Sequence, residues 1–415
     1  MKEVSDWKRE LRVKVLDRID YGREMSDQEV EDIIDEVMLQ EESMQVCSIR
    51  IKQRIRKELF DSLRRLDILQ LFVEDPSITE IMINGREHIF VEREGMLEEL
   101  DMQFESMEKL QNVIQQIAAG CNRTVNEASP IVDARLSDGA RVNVVMNPVA
   151  LNGPAVTIRR FPRKPITMEE LVRRQSVSSE AADFLQMLVE AKYNIFISGG
   201  TGSGKTTLLN VLSGYIPAAE RVITIEDNAE LQLQGIRNLV RLEVRKDTAE
   251  GCPEITIRDL IRTSLRMRPD RIIVGEVRGP EAIDMIQAMN TGHEGSMSTG
   301  HANSAQDMLS RLESMILMGM EIPLQAIRNQ IAAGIDIIVH LGRLRDGSRK
   351  VLEIMEIVGC EEGRYHLNPL YVFRENGWRP EGGVQGTLQK EGELICDEKL
   401  KRAGNGRGEG SSRER

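Results

Sequence analysis

Cysteine pairs, long apolar runs and surplus positive charge are all missing, and each absence removes a class of protein. Five cysteines (Cys47, Cys121, Cys252, Cys360 and Cys396) are scattered through 415 residues with no C-x-x-C pair. Neither a zinc ribbon nor a disulfide framework is encoded, and all five are expected to be reduced thiols without a special role. No apolar run approaches the roughly 18 residues of a membrane helix, and the opening MKEVSDWKRE lacks the apolar core of a signal peptide. A cytoplasmic protein is expected, one that can still dock on a membrane protein. Lys and Arg number 55 against 67 Asp and Glu, a net charge of -12, which argues against an overall field that attracts nucleic acid. What remains, with 40% hydrophobic and 29% charged residues and no internal repeat, is a soluble globular chain of two or three domains.

The first stretch, residues 1–60, reads as a helical extension. Ser26 and Glu29 make a capping box ahead of Val30, Ile33, Ile34, Val37 and Met38, which fall on one helical face. That helix is acidic and the next, with Arg50, Lys52, Arg54, Arg56, Lys57, Arg64 and Arg65, is basic. The pair reads either as two solvated faces or as a docking module for a partner. Over 61–161 the pattern is that of a small α/β domain. Glu80–Ile83 and His88–Val91 flank the turn signal Asn84-Gly85, a helix runs from about Ser106 to Gly120, and 141–145 and 155–158 read as strands. The prolines of Phe161-Pro162-Arg163-Lys164-Pro165 open a linker, 162–178. From 179 to 375 a helix and then strands at 194–198, 222–225, 239–244, 271–274 and 335–340 alternate with helices, the order of a parallel sheet with crossovers. A smaller β-like segment covers 350–373, and 376–415 reads as a disordered tail.

Chemistry concentrates where the strand Asn194–Ser198 runs into Gly199-Gly200-Thr201-Gly202-Ser203-Gly204-Lys205-Thr206-Thr207, a G-x-x-x-x-G-K-T phosphate loop. Glycines let successive N–H groups point into one concavity, and the following helix adds its positive end. Lys205 would reach the β- and γ-phosphates of ATP and the Thr206 hydroxyl would ligate Mg²⁺. A second apolar strand, Arg271–Val274, ends in Gly275-Glu276. Glycine stands where many such proteins carry the Mg²⁺-linked Asp, so the metal contact would come through Glu276. Val222–Ile225 ends in Glu226, a second carboxylate at the same sheet edge. One acid can polarise the attacking water while the other holds the magnesium shell, and which does which is open. His293 and His301, in the small-residue segment 291–303, are placed as sensors of the γ-phosphate; zinc is disfavoured because no cysteine lies near.

In that order and spacing, GGTGSGKTT, TIEDNAEL, RPDRIIVGEVRGPEA and TGHEGSMSTGHANS resemble the Walker A, Asp, Walker B and His boxes of type II and type IV secretion ATPases. SDGARVNVVMNPVALNGPAVTIRRF, with no tetracysteine element following, is most similar to the Flp (Tad) pilus assembly branch, the CpaF family. The resemblance implies an α/β protein with a RecA-like P-loop NTPase motor domain, a smaller α/β N-terminal domain and the helical extension. It implies a homohexamer at the cytoplasmic face of an inner-membrane pilus or secretion platform, with ATP and Mg²⁺ as cofactors; the net charge of -12 makes a nucleic-acid partner unexpected, while a conjugation-like DNA-transfer ATPase and a nucleotide-gated scaffold with little turnover stay open as alternatives. It likens Glu226 to the catalytic glutamate, Glu276 to the Walker B glutamate, His293 and His301 to the His-box pair, and Arg141 and Arg159 to arginines that the N-terminal domain supplies to the phosphates.

Overall fold

The computed structural model describes all residues except 1–3, 21, 24, 42–43, 45–46, 94, 122, 137–138, 161–165, 246–252, 380–382 and 409–415. The chain divides into two compact units, Met1–Arg163 and Lys164–Arg415. The division falls in the proline connector, whose residues 161–165 lie outside the described ones.

The described residues of the first unit open with the helices α1 (Val4–Leu16), α2 (Asp27–Gln40) and α3 (Ile49–Arg64). Ser26 and Glu29 form the expected capping box on α2. Val30, Ile34 and Val37 of α2 pack with Leu11, Val15, Ile55 and Leu59 in a core of their own. The acidic and basic helices answer one another. Arg56 grips Asp35 with both arms of its guanidinium at 2.6 and 3.0 Å and reaches Glu31 at 3.0 Å, and Arg64 binds Asp27 at 2.9 Å. The opposite charges of these helices are thus partly spent on each other.

After α4 (Leu69–Glu74) come β1 (Ile78–Asn84), β2 (His88–Arg93), β3 (Met96–Leu100), α5 (Met107–Gly120), β4 (Ile131–Arg135), β5 (Arg141–Val145) and β6 (Ala155–Arg159). The strands form one antiparallel sheet in the order β3-β2-β1-β6-β5-β4. Ile81, Ile83, Val91, Val142, Val144, Val156 and Ile158 join Leu110, Val113, Ile114 and Ile117 of α5 in the core. Because side chains alternate along a strand, the residues between them take the other face. On that face Glu92, Glu80, Arg159, Arg141 and Arg135 are successive register partners across five strands.

The second unit contains α6 (Met168–Arg173), α7 (Ser179–Glu190), β7 (Ile195–Gly199), α8 (Lys205–Ser213), β8 (Arg221–Glu226), β9 (Asn238–Glu243), α9 (Ile257–Ser264), β10 (Arg271–Val274), α10 (Ala282–Asn290), β11 (Met297–Gly300), α11 (Ala305–Gly319), α12 (Leu324–Gly334), β12 (Ile337–Arg343), β13 (Arg349–Glu361), β14 (Arg364–Arg379), β15 (Gly383–Lys390) and α13 (Glu398–Gly408). One nine-stranded sheet runs β15-β14-β13-β12-β7-β11-β10-β8-β9. It is parallel from β12 to β9 and antiparallel through β13, β14 and β15. Separate apolar clusters, one holding Ile195, Ile197 and Leu208, the other Phe196, Ile223 and Ile272, pack on its two faces. This burial on both sides explains why the parallel strands β7, β8 and β10 read as continuous apolar runs.

Two sequence expectations fail here. The segment Met297–Gly300, read as part of a small-residue loop, is a fully buried strand between β7 and β10. Apart from Thr299 it has no β-branched side chain, so nothing local announces a strand; pairing on both sides supplies the order. The second failure is the tail. Of the expected tail, residues 380–382 and 409–415 lie outside the described ones; the rest is structured, with β14 continuing to Arg379, β15 pairing with it, and α13 following. Buried Glu356 accepts the Ile395 and Cys396 N–H groups at 2.9 and 2.6 Å, and Lys399 reaches Asp336 at 2.7 Å. The polar composition that suggested disorder is held by specific partners on the sheet.

Candidate active site

The carboxyl end of β7 carries the phosphate loop, and the ends of β8, β10 and β11 gather beside it, since all four strands run parallel. Gly199 is indispensable to the loop's path: a Cβ there would lie 2.5 Å from the Leu341 carbonyl oxygen and 2.6 Å from Ser203 Oγ. Gly204 takes φ +99° and is the N-cap of α8, so the first turn of that helix, Lys205, Thr206 and Thr207, opens directly from the loop. Ser203 Oγ donates to the Gly200 carbonyl at 2.9 Å, which closes the curl, while Gly200, Thr201 and Gly202 form its exposed rim.

Lys205 is buried, its ammonium donating to the Gly199 and Gly200 carbonyls at 3.1 and 2.9 Å and to His301 Nδ1 at 3.2 Å. An ammonium has only donors, so His301 Nδ1 must accept and the ring proton sits on Nε2. From there it donates to Glu276 Oε1, 2.9 Å away. Burial first, and Lys205 next, hold the His301 pKa below its ordinary value, consistent with this neutral tautomer. The result is a continuous chain, Lys205–His301–Glu276, from the phosphate loop to the end of β10.

Glu226, last residue of β8, is 3% exposed. Its Oε1 accepts the N–H groups of Glu230 and Leu231, both at 2.8 Å, while Oε2 is buried without a hydrogen-bond partner. Burial outweighs those two bonds and lifts the carboxyl to about 7. A carboxylate lifted toward neutrality, with one oxygen oriented and the other free, is suited to taking a proton. The glycine at 275 has a reason as well: a Cβ there would stand 3.0 Å from Glu226 Cγ. The space that a Walker B aspartate would need is filled by Glu226.

The sequence-predicted residues therefore divide into three groups. Gly200 through Thr207, Glu226, Glu276 and His301 come together at one sheet edge. His293 does not. It precedes β11 by four residues at the amino end of the strand, with Nδ1 against the Ala288 carbonyl at 3.2 Å, the end of the sheet opposite the phosphate loop. The expected role for His293 at the γ-phosphate is corrected accordingly; spacing placed both histidines in one loop because the strand between them went unread. Arg141 and Arg159 belong to the first unit, where they are register partners on the face away from α5. Sequence reading also missed two neighbours of the loop. Arg349 Nε donates to the Gly202 carbonyl at 2.7 Å, and buried His340 bonds Ser198 Oγ at 2.9 Å. A histidine within the apolar run Ile337–Leu341 was the available signal for the second.

Residues 63–375 match the family described as type II/IV secretion system protein. The chain belongs to this family. Among relatives of this secretion ATPase, a putative conjugal transfer protein of Mycobacterium tuberculosis is 33% identical over 303 residues, covering 72% of this chain and 85% of the relative. The conjugal transfer protein TrbB of Rhizobium radiobacter is 33% identical over 336 residues, 80% and 99% of the two chains. The pilus retraction motor PilT, solved with ADP, shares the fold with a TM-score of 0.52 at 20% identity, over 82% of this chain and 87% of its own. The α/β fold of two domains and the ATPase activity of the secretion family follow. No helix among the described residues is long and apolar enough to cross a membrane.

Proposed function

We propose that this ATPase is a homohexameric motor of the Flp/Tad, CpaF-like branch, which turns ATP hydrolysis into pilus assembly or protein secretion from the inner face of the cytoplasmic membrane, docked on a platform protein there. The observation that carries hydrolysis rather than nucleotide binding alone is Glu226, buried and lifted to about 7 at the end of β8, on the same edge of the sheet as the phosphate loop. In this reading Glu226 takes the proton of the attacking water, and the loop amides and Lys205 hold the phosphates. His301, hydrogen-bonded to both Lys205 and Glu276, links the γ-phosphate position to β10. Thr206 and Glu276 offer only oxygen donors, the set Mg²⁺ prefers, and would hold it, where it would offset charge on the β- and γ-phosphates. Arg141 and Arg159, register partners on one sheet face, would bring two further positive charges to the γ-phosphate.

The direct test is steady-state phosphate release by the full chain and by Lys205→Ala. The account expects turnover in the first and its loss in the second, with the fold retained; near-normal turnover in Lys205→Ala overturns the assignment. A second reading, DNA transfer, draws on the conjugal transfer names of the relatives. The net charge of -12 weighs against it, and a salt-sensitive gel shift on DNA would favour it.

A further inference from the structure

His340 is 4% exposed and plays no part in the chemistry above. It lies on β12, where it is the register partner of Ser198 on β7 and of Glu353 on β13, and the β12–β13 register slips immediately after it, between His340 and Leu341. Such a slip re-aims side chains and is common beside active sites. The ring makes two contacts. One is Ser198 Oγ at 2.9 Å, on the residue that immediately precedes the phosphate-loop glycine Gly199. The other is electrostatic, with the backbone of Asn303, two residues beyond His301, which draws the ring's pKa upward. Its register neighbour Glu353 accepts the N–H of Ala305, at the start of α11, at 3.4 Å. Adjacent side chains of β12 and β13 thus fasten the segment 303–305, and the same imidazole fastens the strand that feeds the phosphate loop. Burial pushes the His340 pKa down against the opposing pull of Glu353 on β13 and Asp307 on α11, with Lys205 on α8 adding to the fall. A neutral ring has one donor and one acceptor, the pair needed to bridge a hydroxyl and a carbonyl.

We infer that His340 is a positioning residue for ATP hydrolysis: it locks the His301 segment to the base of the phosphate loop, and so sets the Lys205–His301–Glu276 chain, without itself touching nucleotide. This rests on the hydrolytic reading given above. Residues that act only through the placement of another change turnover while leaving ground-state binding nearly alone, because a small misplacement is felt mainly in the transition state.

The experiment measures kcat and KM for ATP hydrolysis by the full chain carrying His340→Leu, His340→Gln or Ser198→Ala, each alone and with His301→Ala, with thermal midpoints recorded in parallel. His340→Leu is expected to lower kcat about 10-fold with KM for ATP within about twofold of wild type. His340→Gln, whose amide can accept from Ser198 and donate to Asn303, should recover most of that loss. Ser198→Ala, the smallest change, should lower kcat in the same sense even where the leucine variant folds poorly. In the His301→Ala background His340→Leu should add less than about twofold, because residues acting through one another are not additive. Three results each overturn the inference: unchanged kcat in His340→Leu and Ser198→Ala, equal impairment by Leu and Gln, or full multiplication of the His340 and His301 effects. If the wild-type chain itself releases no more phosphate than Lys205→Ala, the hydrolytic reading fails first and this inference with it.

Discussion

At the scale of single residues, the sharpest physical consequence belongs to Glu226. Its carboxyl in the folded protein, about 7 against an ordinary 4.5, binds a proton more tightly than in the unfolded chain. The contribution to stability is therefore fully present below about pH 4.5 and is lost as pH rises through 7. Two and a half pKa units correspond to about 3 kcal/mol. Glu226→Gln keeps an oxygen for the Glu230 and Leu231 amides but carries no charge, and so escapes this loss. The variant should match wild type in thermal midpoint near pH 5 and exceed it at pH 8; a difference that does not vary with pH would contradict the burial account. Gly275 could be read from the sequence as an anomaly, but not its cause. That the empty side chain makes room for Glu226 depends on two strands lying in register, Val274 beside Ile225, and no local pattern reports that pairing.

Among the elements, what could be read depended on whether the signal was local. The capping box at Ser26, the helix start at Ser106, the hairpin around Asn84-Gly85 and the apolar parallel strands each announce themselves within a few residues, and each element appears with its ends shifted by a few positions at most, whereas the expected linker 162–178 contains the helix α6. The strand β11 and the described residues of the C-terminal segment 383–408 are ordered by partners far away in sequence. Glu356 shows how much the second depends on such partners. It accepts from Asn368 Nδ2 at 2.7 Å as well as from the Ile395 and Cys396 amides, so one buried carboxylate fastens β13, β14 and the C-terminal strap together. Glu356→Ala leaves these donors without their acceptor and should cost about 3 kcal/mol. Calorimetry should find the thermal midpoint of the variant several degrees lower, and an unchanged midpoint would show that the strap is held by its apolar contacts alone.

For the whole molecule, the phosphate loop was legible because its glycines, lysine and threonine are contiguous, whereas the completed site draws on residues from β8, β10, β11 and, in the proposed mechanism, the first unit. Arg159→Ala tests that last contribution. At concentrations where light scattering reports the proposed hexamer, turnover should fall about 10²-fold or more if the guanidinium meets charge that develops in the transition state. An assembled Arg159→Ala ring with wild-type kcat/KM would confine that arginine to the surface of its own sheet, where an exposed ion pair is worth at most about 1 kcal/mol. The central claim, that a buried glutamate on the phosphate-loop edge of the sheet makes this secretion ATPase a hydrolytic motor, is reached most directly by the pH dependence of kcat/KM for ATP in wild type and Glu226→Gln. Wild type should rise on its acid limb with a midpoint near 7, the value given to Glu226 by its burial. Glu226→Gln should be slower by about 10²-fold or more and should lack that limb. A Glu226→Gln enzyme that retains both the rate and the limb, while Glu276→Gln loses them, would assign the base to Glu276 and contradict the account.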